Sequence, residues 1–132
     1  MATTSRQYGD GMTELTLTED ALFELLAIEC RVDPDGTARY YNALGQLHRV
    51  YGPAIKYADG TLAWCQNAQL HRPDGPAVEW ADGTRMWSHK GQLHRLDGPA
   101  IERPDGSCDW FINGKELTEA EWQQQVVSME TV

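Results

Sequence analysis

Three histidines, His48, His71 and His94, stand 23 residues apart in the segments GQLHRVYGPA, AQLHRPDGPA and GQLHRLDGPA, each followed directly by an arginine. Imidazole, guanidinium and the carboxylates of Asp74 and Asp97 are the groups of metal sites and acid–base catalysis. The spacing argues against a metal. Ligands of one zinc ion lie about 2.0–2.1 Å from it, whereas equivalent positions of successive hairpin repeats lie about 10 Å apart, two strands at about 4.8 Å each. Each histidine also lacks a second histidine or cysteine at ligand spacing within its own repeat, so neither a metal nor a cofactor is expected. Catalysis is disfavoured on similar grounds. An enzyme site is one asymmetric constellation, yet these polar residues are multiplied, and no nucleophile elbow, phosphate loop or paired-carboxylate motif is present. Tyr51 takes the place of the aspartate in the first segment, a replacement that a scaffold tolerates better than a catalytic centre. His89 falls outside the register and reads as an ordinary surface residue. The chain is therefore expected not to be an enzyme. The HRxDGPA motif reads as a turn closure, with Asp74 and Asp97 accepting backbone or arginine hydrogen bonds, the glycine supplying positive φ and the proline fixing the start of a strand.

The elements that carry these residues follow from the Asp-Gly pairs at 35–36, 59–60, 82–83 and 105–106, which read as two-residue hairpin turns with both central residues at positive φ. Pairing outward from such turns sets Ile55 opposite Trp64, Val78 opposite Trp87 and Ile101 opposite Trp110. Tyr57 and Trp80 then share the tryptophan face, and Lys56, Glu79 and Glu102 take the other. An aromatic face of that size needs cover, from the terminal helices or from a second copy of the chain. At the N-terminus, residues 1–11 lack periodicity and read as a loose arm. Residues 12–26 read as a helical cap, since TEDALFELL from Thr18 has a capping threonine before Leu22, Phe23, Leu25 and Leu26. Repeats fill residues 27–117. A C-terminal helix over 118–132 begins with Thr118 and Glu121 spaced as a capping box and places Trp122, Val126 and Met129 on one face. The expected fold is a single mainly-β domain: a single-layer antiparallel sheet of 23-residue hairpin repeats, flanked by a short N-terminal helix and a C-terminal helix.

The net charge of -9 lies entirely in the flanks. Residues 37–113 balance eight basic against eight acidic side chains, while residues 1–36 hold two against eight and residues 114–132 one against four. Such a chain repels nucleic acid and anionic membrane, so direct binding to either is not expected, and a basic protein surface is the better partner. No long apolar run and no basic-then-apolar leader occur, which makes a cytoplasmic protein the expectation. Cys30, Cys65 and Cys108 occupy different repeat positions and read as reduced, partly buried thiols.

With Asp82–Gly83, then Gly91 and His94 three residues on, and their repeat equivalents, residues 27–117 resemble MORN-type repeats of about 23 residues. A nearer likeness is to the HRxDGPA repeat proteins of phages and mobile elements, many of which are similar in ending on NGKELTEAEW-like segments. That resemblance implies a β-repeat interaction module and a phage origin, hence action in a host cytoplasm; it implies no substrate. The expected function is a non-catalytic protein-binding module, of the kind a phage-encoded inhibitor of a bacterial defence or nucleic-acid enzyme would use. Two surfaces compete for the partner: the acids Asp10, Glu14, Glu19, Asp20, Glu24, Glu119 and Glu121, and the aromatics Tyr57 and Trp80. The alternative is a structural protein that forms a homodimer or larger assembly through its aromatic sheet face.

Overall fold

The computed structural model describes residues 29–130, together with the backbone of two strands nearer the N-terminus. Those strands, β1 (Thr3–Arg6) and β2 (Leu15–Thr18), pair antiparallel. They replace part of the expected loose arm and the start of the expected helical cap, and the period-two alternation of Leu-Thr-Leu-Thr explains why. The helix read from TEDALFELL lies outside the described residues.

The repeats comprise β3 (Glu29–Val32), β4 (Ala38–Tyr41), β5 (Ile55–Lys56), β6 (Leu62–Ala63), β7 (Cys65–Gln66), β8 (Gln69–Leu70), β9 (Val78–Glu79), β10 (Arg85–Met86), β11 (Ser88–His89), β12 (Gln92–Leu93), β13 (Ile101–Glu102), β14 (Cys108–Ile112) and β15 (Lys115–Leu117), followed by helix α1 (Glu119–Glu130). Nine strands form one antiparallel sheet in the order β15-β14-β13-β10-β9-β6-β5-β4-β3, and β7–β8 and β11–β12 form separate two-stranded hairpins. Every repeat thus supplies two hairpins.

The first hairpin turns on the Asp-Gly pair with a loop of three residues, not two. Tyr57 donates its N–H to the Thr61 carbonyl at 2.8 Å, Gly60 donates to the Tyr57 carbonyl at 3.0 Å, and Gly60 has φ +96°. This is a type I turn closed by a left-handed glycine; Asp59 stays out of the positive-φ region. One added loop residue moves every partner by one and reverses the face. Ile55 pairs with Ala63, Val78 with Met86 and Ile101 with Asp109, so the tryptophans are not across from Ile55, Val78 and Ile101 as expected. The turn with positive φ at both central residues belongs to the second hairpin, at Asn67–Ala68, Lys90–Gly91 and Asn113–Gly114. In the first repeat the corresponding loop spans Asn42 to Gln46 and is one residue longer, closed by Gly45.

The expected single aromatic face is therefore divided. Ile55, Ala63 and Val78 form a buried cluster with Leu47, Leu70 and Met86 against it, and Tyr57 and Trp80 fall on that side by alternation. Trp64 and Trp87, each one residue beyond the strand that carries Ala63 or Met86, face the other way. Beyond Trp64 the chain enters β7–β8, whose Cys65 and Leu70 line the same groove as Ile55 and Val78.

Ala54, Ala77 and Ala100, the alanines that end HRxDGPA, are wholly buried. Ala77 and Ala100 accept the N–H of Trp64 and Trp87, both at 2.7 Å, and Ala54 that of Tyr40 at 2.8 Å. A larger side chain would have to displace these strands. Hydroxyls join the first turns: Thr37 Oγ1 accepts from the Ala58 N–H and Thr61 Oγ1 from the Ala81 N–H, both at 3.1 Å. At the C-terminal end, Thr118 and Glu121 form the expected capping box, with bonds of 2.9 and 3.2 Å. Helix α1 buries Trp122 against Ile112 and Leu117, with Trp110 and Val126 alongside. Met129, expected on that buried face, is exposed.

Candidate functional site

The HRxDGPA arginines form a ladder on the tryptophan side. Arg49 lies over Tyr40, Arg72 over Trp64 and Arg95 over Trp87, with the guanidinium carbon 4.0, 3.8 and 3.7 Å from the ring centres. Each arginine also donates to the carbonyl of the motif proline, Pro53, Pro76 or Pro99. Arg72 pairs with Asp74 and Glu79, and Arg95 with Asp97 at 2.8 Å and Glu102 at 2.6 Å. The aspartates accept arginine bonds as expected. Gly52 has the expected positive φ, at +158°, but the other two motif glycines do something else. Gly75 and Gly98 lie outside the positive-φ region; a Cβ there would meet the guanidinium carbon of Arg72 at 2.9 Å and of Arg95 at 2.7 Å. They make room for the arginine. With ring, carbonyl and two carboxylates around it, each of the latter two guanidiniums is committed to the fold.

The histidines have an equally specific task. His48, His71 and His94 each accept at Nδ1 the backbone N–H of the first turn residue of the next second hairpin, Asn67, Lys90 or Asn113, at 3.0, 3.0 and 2.9 Å. The same turns donate a second N–H, from Ala68, Gly91 and Gly114, to the carbonyls of Leu47, Leu70 and Leu93. The residue before each histidine and the histidine itself therefore hold one turn. Sequence reasoning missed this role, although the fixed offset of 19 residues from histidine to turn was there to be seen. His89 is exposed, as expected of a surface residue, and its ring lies 4.7 Å from that of His71 and 5.9 Å from that of His94. Burial holds His71 and His94 below the ordinary imidazole value, with His89 adding to this at both and Lys90 at His71. Among the described residues no group of three or more histidine, cysteine or acidic side chains is arranged to hold a metal ion.

On the opposite side of the sheet a groove of about 480 Å³ runs across two repeats. Ile55, Leu70, Val78 and Met86 form its floor and Tyr57 and Trp80 its rim. Tyr57 is 40% and Trp80 39% exposed, while Ile55 and Val78 beneath them are buried. Asp59 stands at the same rim. It belongs to a row: the turn aspartates Asp35, Asp59 and Asp82 are held below the usual carboxylate range by the N–H of Thr37, Thr61 and Thr84, and Asp105 by the Ser107 hydroxyl and then its N–H. All are firmly ionised.

Of the acids named from the sequence, Asp10, Glu14, Glu19, Asp20 and Glu24 lie outside the described residues. Glu119 and Glu121 are exposed in the first turn of α1. Glu121 is occupied in capping Thr118, which also lowers its carboxyl. Structure thus brings Tyr57 and Trp80 together over one groove and leaves Glu119 and Glu121 on the capping helix. Cys65 is buried, and burial pushes its thiol up, whereas Cys30 and Cys108 are exposed, contrary to the expectation of partial burial for all. No described helix is long and apolar enough to cross a membrane. Against known proteins the chain matches no family profile, no characterised protein and no solved structure.

Proposed function

We propose that the chain is a non-catalytic protein-binding module whose contact surface is the groove rimmed by Tyr57 and Trp80. The observation that supports this is an apolar floor left open beneath two half-exposed aromatics, the composition of an interface centre. The histidine and arginine of each HRxDGPA motif are meanwhile engaged in holding the fold. The partner is a protein segment with apolar side chains on one side and basic residues beside them. Ionised Asp59 stands on the rim, the turn aspartates recur at each repeat about 10 Å apart, and the net charge is -9, so approach of a basic partner is favoured. A module of this kind would suit occlusion of a basic cleft on a bacterial enzyme.

An amphipathic leucine–lysine peptide is the direct probe. Titrated calorimetrically, it should bind the protein, lose about tenfold or more in affinity to Trp80→Ser, and weaken moderately with salt. Binding that survives Trp80→Ser and vanishes with Glu119→Lys and Glu121→Lys would transfer the site to the acidic surface. The self-assembly reading predicts instead a wild-type dimer in sedimentation that Trp80→Ser converts to monomer.

A further inference from the structure

A backbone N–H held by an imidazole nitrogen is a joint that depends on proton occupancy. At His71 and His94 the acceptor is Nδ1, at 3.0 and 2.9 Å from the N–H of Lys90 and Asn113, so the ring proton must sit on Nε2. A second proton has only Nδ1 to go to. The imidazolium then presents a donor to a donor, and the bond is lost. His89 stands between the two rings at 4.7 and 5.9 Å, so charge on one imidazole opposes charge on the next. Other charged groups surround them. Lys90 carries the donating N–H of the His71 joint and is a further cation. Arg72 and Asp74 line the cleft that holds His71, with Tyr51; Arg72, Arg95 and Asp97 line the cleft of His94. Both carboxylates are bound to the arginines.

We propose that His71 and His94 are acid-released latches: as neutral imidazoles they fasten the turns at Lys90 and Asn113 to the preceding repeat, and protonation frees those turns while the nine-stranded sheet stays paired. Release is local because each turn keeps a second bond, from Gly91 to Leu70 at 2.9 Å and from Gly114 to Leu93 at 2.8 Å. The tryptophan N–H bonds to Ala77 and Ala100 involve no imidazole. The latch does not depend on what the groove binds.

Amide hydrogen exchange, followed by NMR from about pH 8 to about pH 5, the range in which histidine titrates, tests this. Protection factors at Lys90 and Asn113 should fall by up to about tenfold per pH unit once the rings begin to protonate, while those at Trp64 and Trp87 hold. Replacing the middle ring, His89→Gln, removes its opposing charge and should move the onset to higher pH at both amides. His71→Gln should abolish the response at Lys90 and leave it at Asn113; if that variant does not fold, the wild-type and His89→Gln profiles decide. Flat profiles at Lys90 and Asn113, a parallel loss at Trp64 and Trp87, or an unmoved onset in His89→Gln would each overturn the latch.

Discussion

Arg95 lies over Trp87, its guanidinium carbon 3.7 Å from the ring centre, and the pair repeats at Arg72 and Trp64. A partly desolvated contact of this sort contributes about 0.5–2 kcal/mol, and the bond to the Pro99 carbonyl adds to it. Arg95→Ala is expected to cost about 1–3 kcal/mol in urea unfolding. Asp97→Ala should stay within about 0.5 kcal/mol despite a 2.8 Å pair, because the aspartate side chain is 84% exposed and such pairs contribute little. The reverse order would mean that charge, and not stacking, holds the motif.

Gly98 is small for the same reason. A methyl group there would meet the Arg95 guanidinium carbon at 2.7 Å, so Gly98→Ala is expected to cost about 1–3 kcal/mol. In an Arg95→Ala background that cost should fall below about 0.5 kcal/mol, since the colliding group is gone. Equal costs in both backgrounds would place the strain in the backbone and not in the contact with the guanidinium.

These two residues show what the sequence reveals and what it hides. The recurrence of HRxDGPA announces repeats, hairpins and a scaffold role, and the capping box at Thr118 and Glu121 fixes the start of the last helix. What failed was one residue of turn length. Asp-Gly serves both two-residue and three-residue hairpins, nothing in the pair itself distinguishes them, and the wrong choice reverses the face of Trp64 and Trp87, which follow the turn, while Trp80, which precedes it, keeps its side. The division of the aromatics, with Trp64 under arginine and Trp80 over the groove, follows from that single residue. The histidine joints were missed for another reason: their partners are backbone N–H groups, which leave no mark in side-chain composition and show in the sequence only as a fixed offset to the next turn.

The turn aspartates give a direction for acid. The N–H of Thr61 and Thr84 lowers the carboxyls of Asp59 and Asp82 from an ordinary value of 3.8. A depressed folded value means that the unfolded chain binds more protons, so their contribution is present above the unfolded value and is lost as pH falls through the folded one. His71 and His94, also depressed, from 6.5, act with the same sign at higher pH. Thermal unfolding should therefore show stability declining as pH falls below about 6.5 and again below about 4. Asp59→Asn with Asp82→Asn should make the lower limb shallower, Asp35 and Asp105 remaining to titrate, and leave the upper one unchanged. A profile level from neutrality to pH 4 would contradict the histidine part.

The C-terminal helix supplies the last prediction, because it ends the ladder by substitution. One repeat beyond Arg95 the corresponding position is Thr118, and the ring packed on Trp110 is that of Trp122, 4.6 Å away between centres. Trp122 is 9% exposed, and its Nε1–H donates to the Arg95 carbonyl at 2.8 Å, so one side chain closes the stack against both the last tryptophan and the last HRxDGPA motif. In a repeat fold each unit is stabilised by its neighbours, and an end without a cap is the first to open. Trp122→Ala is expected to cost about 3–5 kcal/mol, and Trp122→Phe, which keeps the ring but leaves the Arg95 carbonyl without that donor, about 1–3 kcal/mol. Urea unfolding followed by circular dichroism gives both values. Hydrogen exchange gives the location: in Trp122→Ala the amides of β14 and β15 should lose protection before those of β5 and β6. A loss below about 1 kcal/mol, or opening that begins at β5 and β6, would show that the helix is an appendage and that the stack ends on Trp110 alone.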